Sequence, residues 1–132
     1  MNILTYNLYD SFVKNSPYNF KNIPRSAIKK IINRKKVQKK IAKGKMLGYL
    51  THRHLFNGNS GFEPAFKVTE LIANKNGDIK ITWVFLDNDS GREAENNYKN
   101  NGWRFGCATM IRHINFVADS LEHLVGFDLI EH

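Results

Sequence analysis

The sequence is poor in cysteine and has no long apolar run. Cys107 is the only cysteine among 132 residues, so an internal disulfide is impossible, as is typical of a reducing compartment. No apolar run approaches the roughly 20 residues of a membrane helix. Residues 1–10 have neither the basic start nor the apolar stretch of a secretion signal. We therefore expect a soluble, cytosolic protein with no membrane partner.

Acidic residues are missing from one long segment. Residues 25–45, RSAIKKIINRKKVQKKIAKGK, hold ten of the twenty Lys and Arg and no Asp or Glu, in a chain of net charge +8. Such a segment attracts anions, so nucleic acid or an acidic protein is a candidate partner. Its candidate binding residues are Lys29, Lys30, Arg34, Lys35, Lys36, Lys39, Lys40 and Lys43. It lacks the interleaved aromatic residues of a single-strand stacking platform, and a solvated helix face is the alternative interpretation.

Hydrophobic residues make up 42% of the chain and predict a globular domain spanning residues 1–132. Residues 1–24, which contain Pro17 and Pro24, are predicted to be an irregular lead-in. In residues 25–45, apolar residues at helical spacing predict one kinked helix or two short ones, ended by Gly44. Residues 46–132 are predicted to form a sheet-rich core.

Alternating residues and turn signals define that core. FKVTELIA, NKNG and DIKITWVFL predict a β-hairpin around an Asn-Gly turn. KMLGYLTHRHLF, WRFGCATMIRHINFV and LVGFDLI predict further strands. Between them, Ser90 and Glu93 predict a capping box at the start of a short helix that ends near Gly102. The predicted class is α+β with a mostly antiparallel sheet.

The strand WRFGCATMIRHINFV has two different faces. Bulky apolar side chains occupy most of its odd positions, namely Trp103, Phe105, Cys107 and Ile111. Small or charged residues occupy most of its even positions, namely Arg104, Gly106, Ala108 and Arg112, and Met110 takes the remaining one. Because successive strand residues point to opposite sides, Cys107 and Ala108 are predicted to face opposite ways.

An ordered set of motifs from about residue 22 to residue 132 resembles the phage prohead maturation proteases, relatives of the herpesvirus capsid assembly protease. NIPRSAIKKII resembles the leading helix of that family, and KMLGYLTHRH resembles the strand that ends at its catalytic histidine. The hairpin and the following helix also match in order. WRFGCATM resembles the nucleophile strand, and LVGFDLIEH resembles the strand that closes the core.

The resemblance implies a small β-barrel ringed by helices and a serine endopeptidase that cleaves scaffold and capsid proteins. His52 falls on the catalytic histidine, the nucleophile position falls on Ala108, and Asp128 is the candidate for the third member. Implied partners are phage scaffold or capsid proteins, and a homo-oligomer is possible. The implied location is the infected bacterial cytoplasm, the prohead or the virion.

The chain departs from this family at its most important position. A methyl group cannot attack a carbonyl, so the site is predicted to be inactive with Ala108. An engineered replacement of serine, a natural pseudoprotease and a false alignment are the open explanations. Met110 stands where many relatives have an arginine. A non-enzymatic phage protein that binds capsid, scaffold, a host factor or nucleic acid is the alternative function.

Three other interpretations concern single side chains. Cys107 is an alternative nucleophile, although its apolar face favours a small buried hydrophobe. His52 and His54 match no zinc spacing, even with His113 or His123, so neither a metal nor a cofactor is expected. Asp128 lies in an apolar strand, so it is either at an exposed edge or paired inside.

Overall fold

A computed structural model describes residues 1–50 and 63–131. Within those ranges the chain forms six strands and four helices. The strands are β1 (Asn2–Asn7), β2 (Leu47–Tyr49), β3 (Phe66–Ala73), β4 (Asp78–Phe85), β5 (Arg104–Ile114) and β6 (Val117–Ile130). The helices are α1 (Leu8–Asn15), α2 (Ala27–Ile32), α3 (Lys35–Ala42) and α4 (Asp89–Asn100).

The strands form one curled sheet, a half-barrel, in the order β1-β4-β3-β2-β6-β5. Neighbouring strands run antiparallel except for β2 and β6, which are parallel. The predicted α+β class with a mostly antiparallel sheet is therefore confirmed. Strands β1 and β5 are the two edges of the described sheet.

The predicted hairpin is confirmed as β3 and β4. Their register pairs Phe66 with Phe85 and Ala73 with Ile79. In the turn, the side chain of Asn74 accepts hydrogen bonds from the amides of Asn76 and Asp78. Gly77 has a φ of +86°, a conformation that favours glycine and explains the Asn-Gly signal.

The basic segment forms two short helices, α2 and α3, so that alternative is confirmed. Ile28, Ile31 and Ile32 of α2 are buried, as is Ile41 of α3. The side-chain amide of Gln38 donates hydrogen bonds to the backbone carbonyls of Ile32 and Leu71 and so connects α3 to α2 and β3. Gly44 has a φ of +69° and follows the end of α3, where a left-handed residue is common.

The prediction of an irregular lead-in over residues 1–24 is wrong for residues 2–15 and agrees with the structure for residues 16–24, which lie outside the helices and strands. Strand β1 pairs along its whole length with β4, and α1 follows directly. Asn7 caps α1 by accepting a hydrogen bond from the amide of Asp10 at 2.7 Å. Leu8 is buried, and the hydroxyl of Tyr9 donates to the carbonyl of Ile23 at 2.7 Å. Tertiary contacts thus order a segment whose polar composition suggested a loop.

The predicted capping box at Ser90 and Glu93 is also wrong, because the N-cap of α4 lies two residues earlier. Asn88 is the N-cap, and its side chain accepts from the amide of Gly91 at 2.6 Å while donating to the carbonyl of Pro64. The amide of Ser90 instead donates to the carboxylate of Glu63. A Cβ at Gly91 would lie 1.8 Å from the Leu86 carbonyl oxygen, so only glycine fits there.

Strands β5 and β6 form a long hairpin, of which the sequence predicted β5 and only the end of β6. Asn115 and Phe116 join them with φ values of +49° and +63°. The pairing shifts register three times, and each shift leaves one extra residue in β6. Core-facing residues of β6 therefore recur every third position, at Ala118, Leu121, Leu124 and Phe127, opposite odd-numbered residues of β5.

Candidate functional site

The predicted catalytic positions are described in part, since His52 lies outside the described residues. Ala108 pairs with Gly126, and Asp128 pairs with Gly106, on adjacent antiparallel strands. Ala108 and Asp128 are thus diagonal neighbours on one face of the β5–β6 ladder, at a Cβ separation of about 7 Å for such pairs. The structure therefore brings together two of the three predicted positions.

Asp128 is fully buried at 0% exposure, so it does not lie at an exposed edge. Its backbone is in parallel register with Tyr49 of β2, the strand whose sequence continues toward His52. Small residues, Gly106 and Gly126, are its neighbours across and along the ladder. Because burial of an unpaired carboxylate is costly, a residue at this position belongs to a paired interior site rather than to the surface.

Cys107 faces the opposite side from Ala108, as the alternation predicted. It packs with Phe105 and Ile111 against the core. Burial, with a smaller contribution from the charge of Asp128, raises the pKa of the Cys107 thiol above its ordinary range. The thiol stays protonated at neutral pH, which disfavours Cys107 as the alternative nucleophile.

The eight predicted binding residues lie on the exposed side of α2, α3 and the adjoining turns. Seven of them are lysines, here called the basic surface: Lys29, Lys30, Lys35, Lys36, Lys39, Lys40 and Lys43. All seven are exposed, while the isoleucines of the same helices face the core. Within residues 1–50 and 63–131, no carboxylate lies at ion-pair distance from any of them.

Arg34 differs from these lysines because it is bonded to the protein. Its guanidinium donates to the backbone carbonyl of Glu122, and Nη1 lies 3.3 Å from Nδ1 of His123. Arg34 is one of the two residues between α2 and α3, so this contact attaches the junction of the two helices to β6. We therefore assign Arg34 to positioning the basic surface.

A small pocket of about 150 Å³ lies beside the basic surface. Its lining includes Lys40, Lys45, Tyr49 and Gly126. Burial raises the pKa of the Tyr49 phenol. Because Gly126 pairs with Ala108, this pocket places cationic side chains near the strands that carry the predicted catalytic positions.

A larger cleft was not predicted from the sequence. It has a volume of about 950 Å³ and lies between α1, β1 and the start of β5. Two of these elements belong to residues 1–24, which were predicted to be irregular. The missed signals were Asn7 followed by Asp10, a cap and an acid in the first turn, and Leu8 and Phe12 at helical spacing.

Two kinds of feature are absent from the described residues. No helix there is long and apolar enough to cross a bilayer. In the same ranges, no three His, Cys, Asp or Glu side chains are grouped as a metal site would require. His54, one of the histidines considered for a metal, lies outside these ranges, whereas His113 and His123 are exposed on the β5–β6 hairpin.

Comparison with known proteins gives no match to a family model, a curated protein or a solved structure.

Proposed function

We propose that this chain binds nucleic acid through the basic surface, without reading its sequence. The observation that carries this proposal is the set of seven exposed lysines without carboxylate partners in the described structure. Lysines that neutralise phosphates release counterions, which is the main source of non-specific affinity. The fully exposed face of α2 and α3 thus has the chemistry of a phosphate-binding surface.

Nucleic acid fits this surface better than an acidic protein. Protein interfaces need apolar or aromatic anchors at their centre and are depleted in lysine. The large apolar residues of α2 and α3, Ile28, Ile31, Ile32 and Ile41, are all buried and supply no such anchor. Phosphate contacts require no apolar anchor, because they depend on the charge and the length of the lysine side chains.

The test is duplex DNA binding, followed by fluorescence anisotropy at several salt concentrations. We expect affinity to fall with salt at a slope of about 0.9 per phosphate contact. Neutralising Lys35, Lys36, Lys39 and Lys40 to Gln should reduce that slope and weaken binding at least ten-fold. A control that changes Lys21, Lys75, Lys80 and Lys99 to Gln removes the same charge elsewhere and should retain most of the affinity. Equal losses in both variants would exclude a dedicated surface.

The second proposal is that the fold is of the prohead maturation protease type, with its nucleophile replaced by Ala108. It is supported by the diagonal placement of Ala108 and buried Asp128 on one face. Such a protein would act in phage assembly, bound to scaffold or capsid protein in the prohead or the infected cell. A basic surface for packaged DNA is compatible with that setting.

An activity-based fluorophosphonate probe tests this site without knowledge of its substrate. We expect the Ala108→Ser variant to be labelled, and the further change His52→Ala to abolish the labelling. The control Ala42→Ser adds an exposed serine to α3 and should not react. A folded Ala108→Ser protein without labelling would contradict the protease-type site while leaving the nucleic-acid proposal intact.

A further inference from the structure

The cleft between α1, β1 and β5 lies at the opening of the half-barrel. Strands β1 and β5 are the two edges of the described sheet, and each pairs with a single neighbour there. Leu4 and Tyr6 line the cleft from β1, and Phe105 and Cys107 line it from β5. With a volume of about 950 Å³, it is in the size range of pockets that hold small molecules.

Aromatic rings form much of the wall of this cleft. They belong to Tyr6, Phe12, Tyr98, Trp103 and Phe105. Phe105 is held by packed neighbours, since its ring centroid lies 4.1 Å from that of Trp83 and 4.8 Å from that of Phe66. A wall supported in this way is preformed, so a ligand would lose little affinity to side-chain ordering.

The ring orientations favour an aliphatic ligand over a planar one. Tyr98 and Phe105 meet edge to face, with an interplanar angle of 80° and centroids 5.7 Å apart. A flat base or ring would need two parallel faces at stacking distance to be sandwiched. An alkyl chain, in contrast, packs against ring edges and faces alike.

The charged residues of the cleft are cations. Lys14 from α1 and Arg104 from β5 line it, and no Asp or Glu is among its described lining residues. Both side chains are exposed and have no ion-pair partner in the described parts of the chain. Ser11 and Asn15 add uncharged hydrogen-bonding groups. An acidic head group would therefore be complementary to the charged part of the cleft.

We propose that the cleft binds an amphipathic carboxylate of the fatty-acid class, with its chain against the aromatic wall and its head group at Lys14 and Arg104. The hydroxyl of Tyr6, whose pKa is raised chiefly by burial, remains neutral and adds no repulsive charge to this site. The proposal does not rest on nucleic-acid binding, because the basic surface does not line the cleft.

The test compares dodecanoate with dodecanol by calorimetric titration of the full chain, below the critical micelle concentration of dodecanoate and below the solubility limit of dodecanol. We expect one dodecanoate per chain and an affinity about ten-fold above that of dodecanol, because only the carboxylate makes charge-assisted hydrogen bonds. The indole N–H resonance of Trp103, which lines the cleft, should shift on titration.

The double variant Lys14→Gln/Arg104→Gln should remove the preference for dodecanoate. Both residues are exposed, so the fold should be retained, as circular dichroism would verify. The charge-matched control Lys75→Gln/Lys99→Gln should bind like the unaltered protein. Equal affinity for the two probes, an unchanged preference in the double variant, or a Trp103 resonance that does not move would each overturn the proposal.

Discussion

Helices α3 and α4 differ in how their own sequences stabilise them. Helix α4 has a side-chain cap from Asn88, an acid in its first turn and a lysine in its last. Its Arg92 pairs with Asp89 at 2.7 Å and Asp87 at 3.0 Å, and Lys99 pairs with Glu95 at 3.4 Å. These features agree with the helix dipole and with the spacing rules for surface pairs.

Of these features, helix α3 has only the lysines of its last turn, Lys39 and Lys40, within the described structure. No side chain caps its N-terminus, its first turn has no acid, and Lys35 and Lys36 stand where positive charge is unfavourable. Its attachment comes from buried Ile41 and from the two hydrogen bonds of Gln38. The exposed residues at the start of α3 do not stabilise the helix, whereas its buried residues do. This difference indicates that the exposed surface has another role.

The largest effect on the free energy of unfolding should come from truncating a buried side chain that packs α2 and α3 against the core. Ile32 of α2 is 1% exposed, so Ile32→Ala should lower the free energy of unfolding by about 3 kcal/mol through lost burial and a cavity. The half-exposed Ile72 provides a control, since Ile72→Ala should cost well under half as much. Urea denaturation measures both. Similar losses for the two variants would mean that α2 is not held by its buried face.

The cap of α4 should matter less. Asn88→Ala removes the acceptor for the Gly91 amide and the donor to the Pro64 carbonyl. We expect a loss of about 1 to 2 kcal/mol in unfolding free energy, since loss of a cap alone typically costs about 1 kcal/mol. Asn88→Asp keeps the acceptor and should recover part of the loss. If Asn88→Ala unfolded at the same urea concentration as the unaltered protein, α4 would not be stabilised by its cap.

Charge reversal at the start of α3 should improve stability and weaken binding together. Lys35→Glu places an acid in a first turn that has none and should stabilise the helix by about 0.3 to 1 kcal/mol. The same change should lower affinity for duplex DNA. Thermal unfolding and anisotropy measure the two effects on one sample. Lower stability in the variant would contradict the contrast drawn between α3 and α4.

The smallest effect should be on the stability of the fold at acid pH. It arises outside α2 and α3, because these two helices contain no Asp or Glu. Hydrogen bonds from Asn74 and Asn7, with the charge of Arg25, lower the pKa of the Asp78 carboxyl. Because this pKa is lower in the folded than in the unfolded state, the ionised carboxylate stabilises the fold at pH values above the unfolded-state pKa of about 3.9. This stabilisation is lost as the pH falls through the folded-state pKa. Asp78→Asn should therefore flatten the acid limb of a stability-against-pH curve and leave its shape near neutral pH unchanged.

Regular periodicity made much of this fold predictable. The hairpin β3–β4, the two helices α2 and α3, and strand β5 followed from apolar spacing and turn residues. The basic surface also followed from composition, because lysines on the outer side of an amphipathic helix are exposed. The opposite orientations of Cys107 and Ala108 followed from the alternation of strand residues.

The remaining features depend on contacts that the sequence does not display locally. Asn88 and Ser90 are both good N-cap residues, and the hydrogen bond to Pro64 distinguishes them. Most of β6 was missed because its three bulges replace a period of two with a period of three. The cleft was missed because β5 is far in sequence from β1 and α1 and becomes their neighbour only when the sheet curls.

The bulges of β6 also determine where this strand can change in length. In a regular strand, the loss of one residue turns every later side chain to the opposite face. In β6, the extra residues are Asp119, Glu122 and Val125, and deletion of one of them would convert a bulge into an ordinary pair. Gly126 would still face Ala108, and Asp128 would still face Gly106. Natural variants of this strand should therefore differ by single residues at these three positions while the face that carries Asp128 keeps its partners.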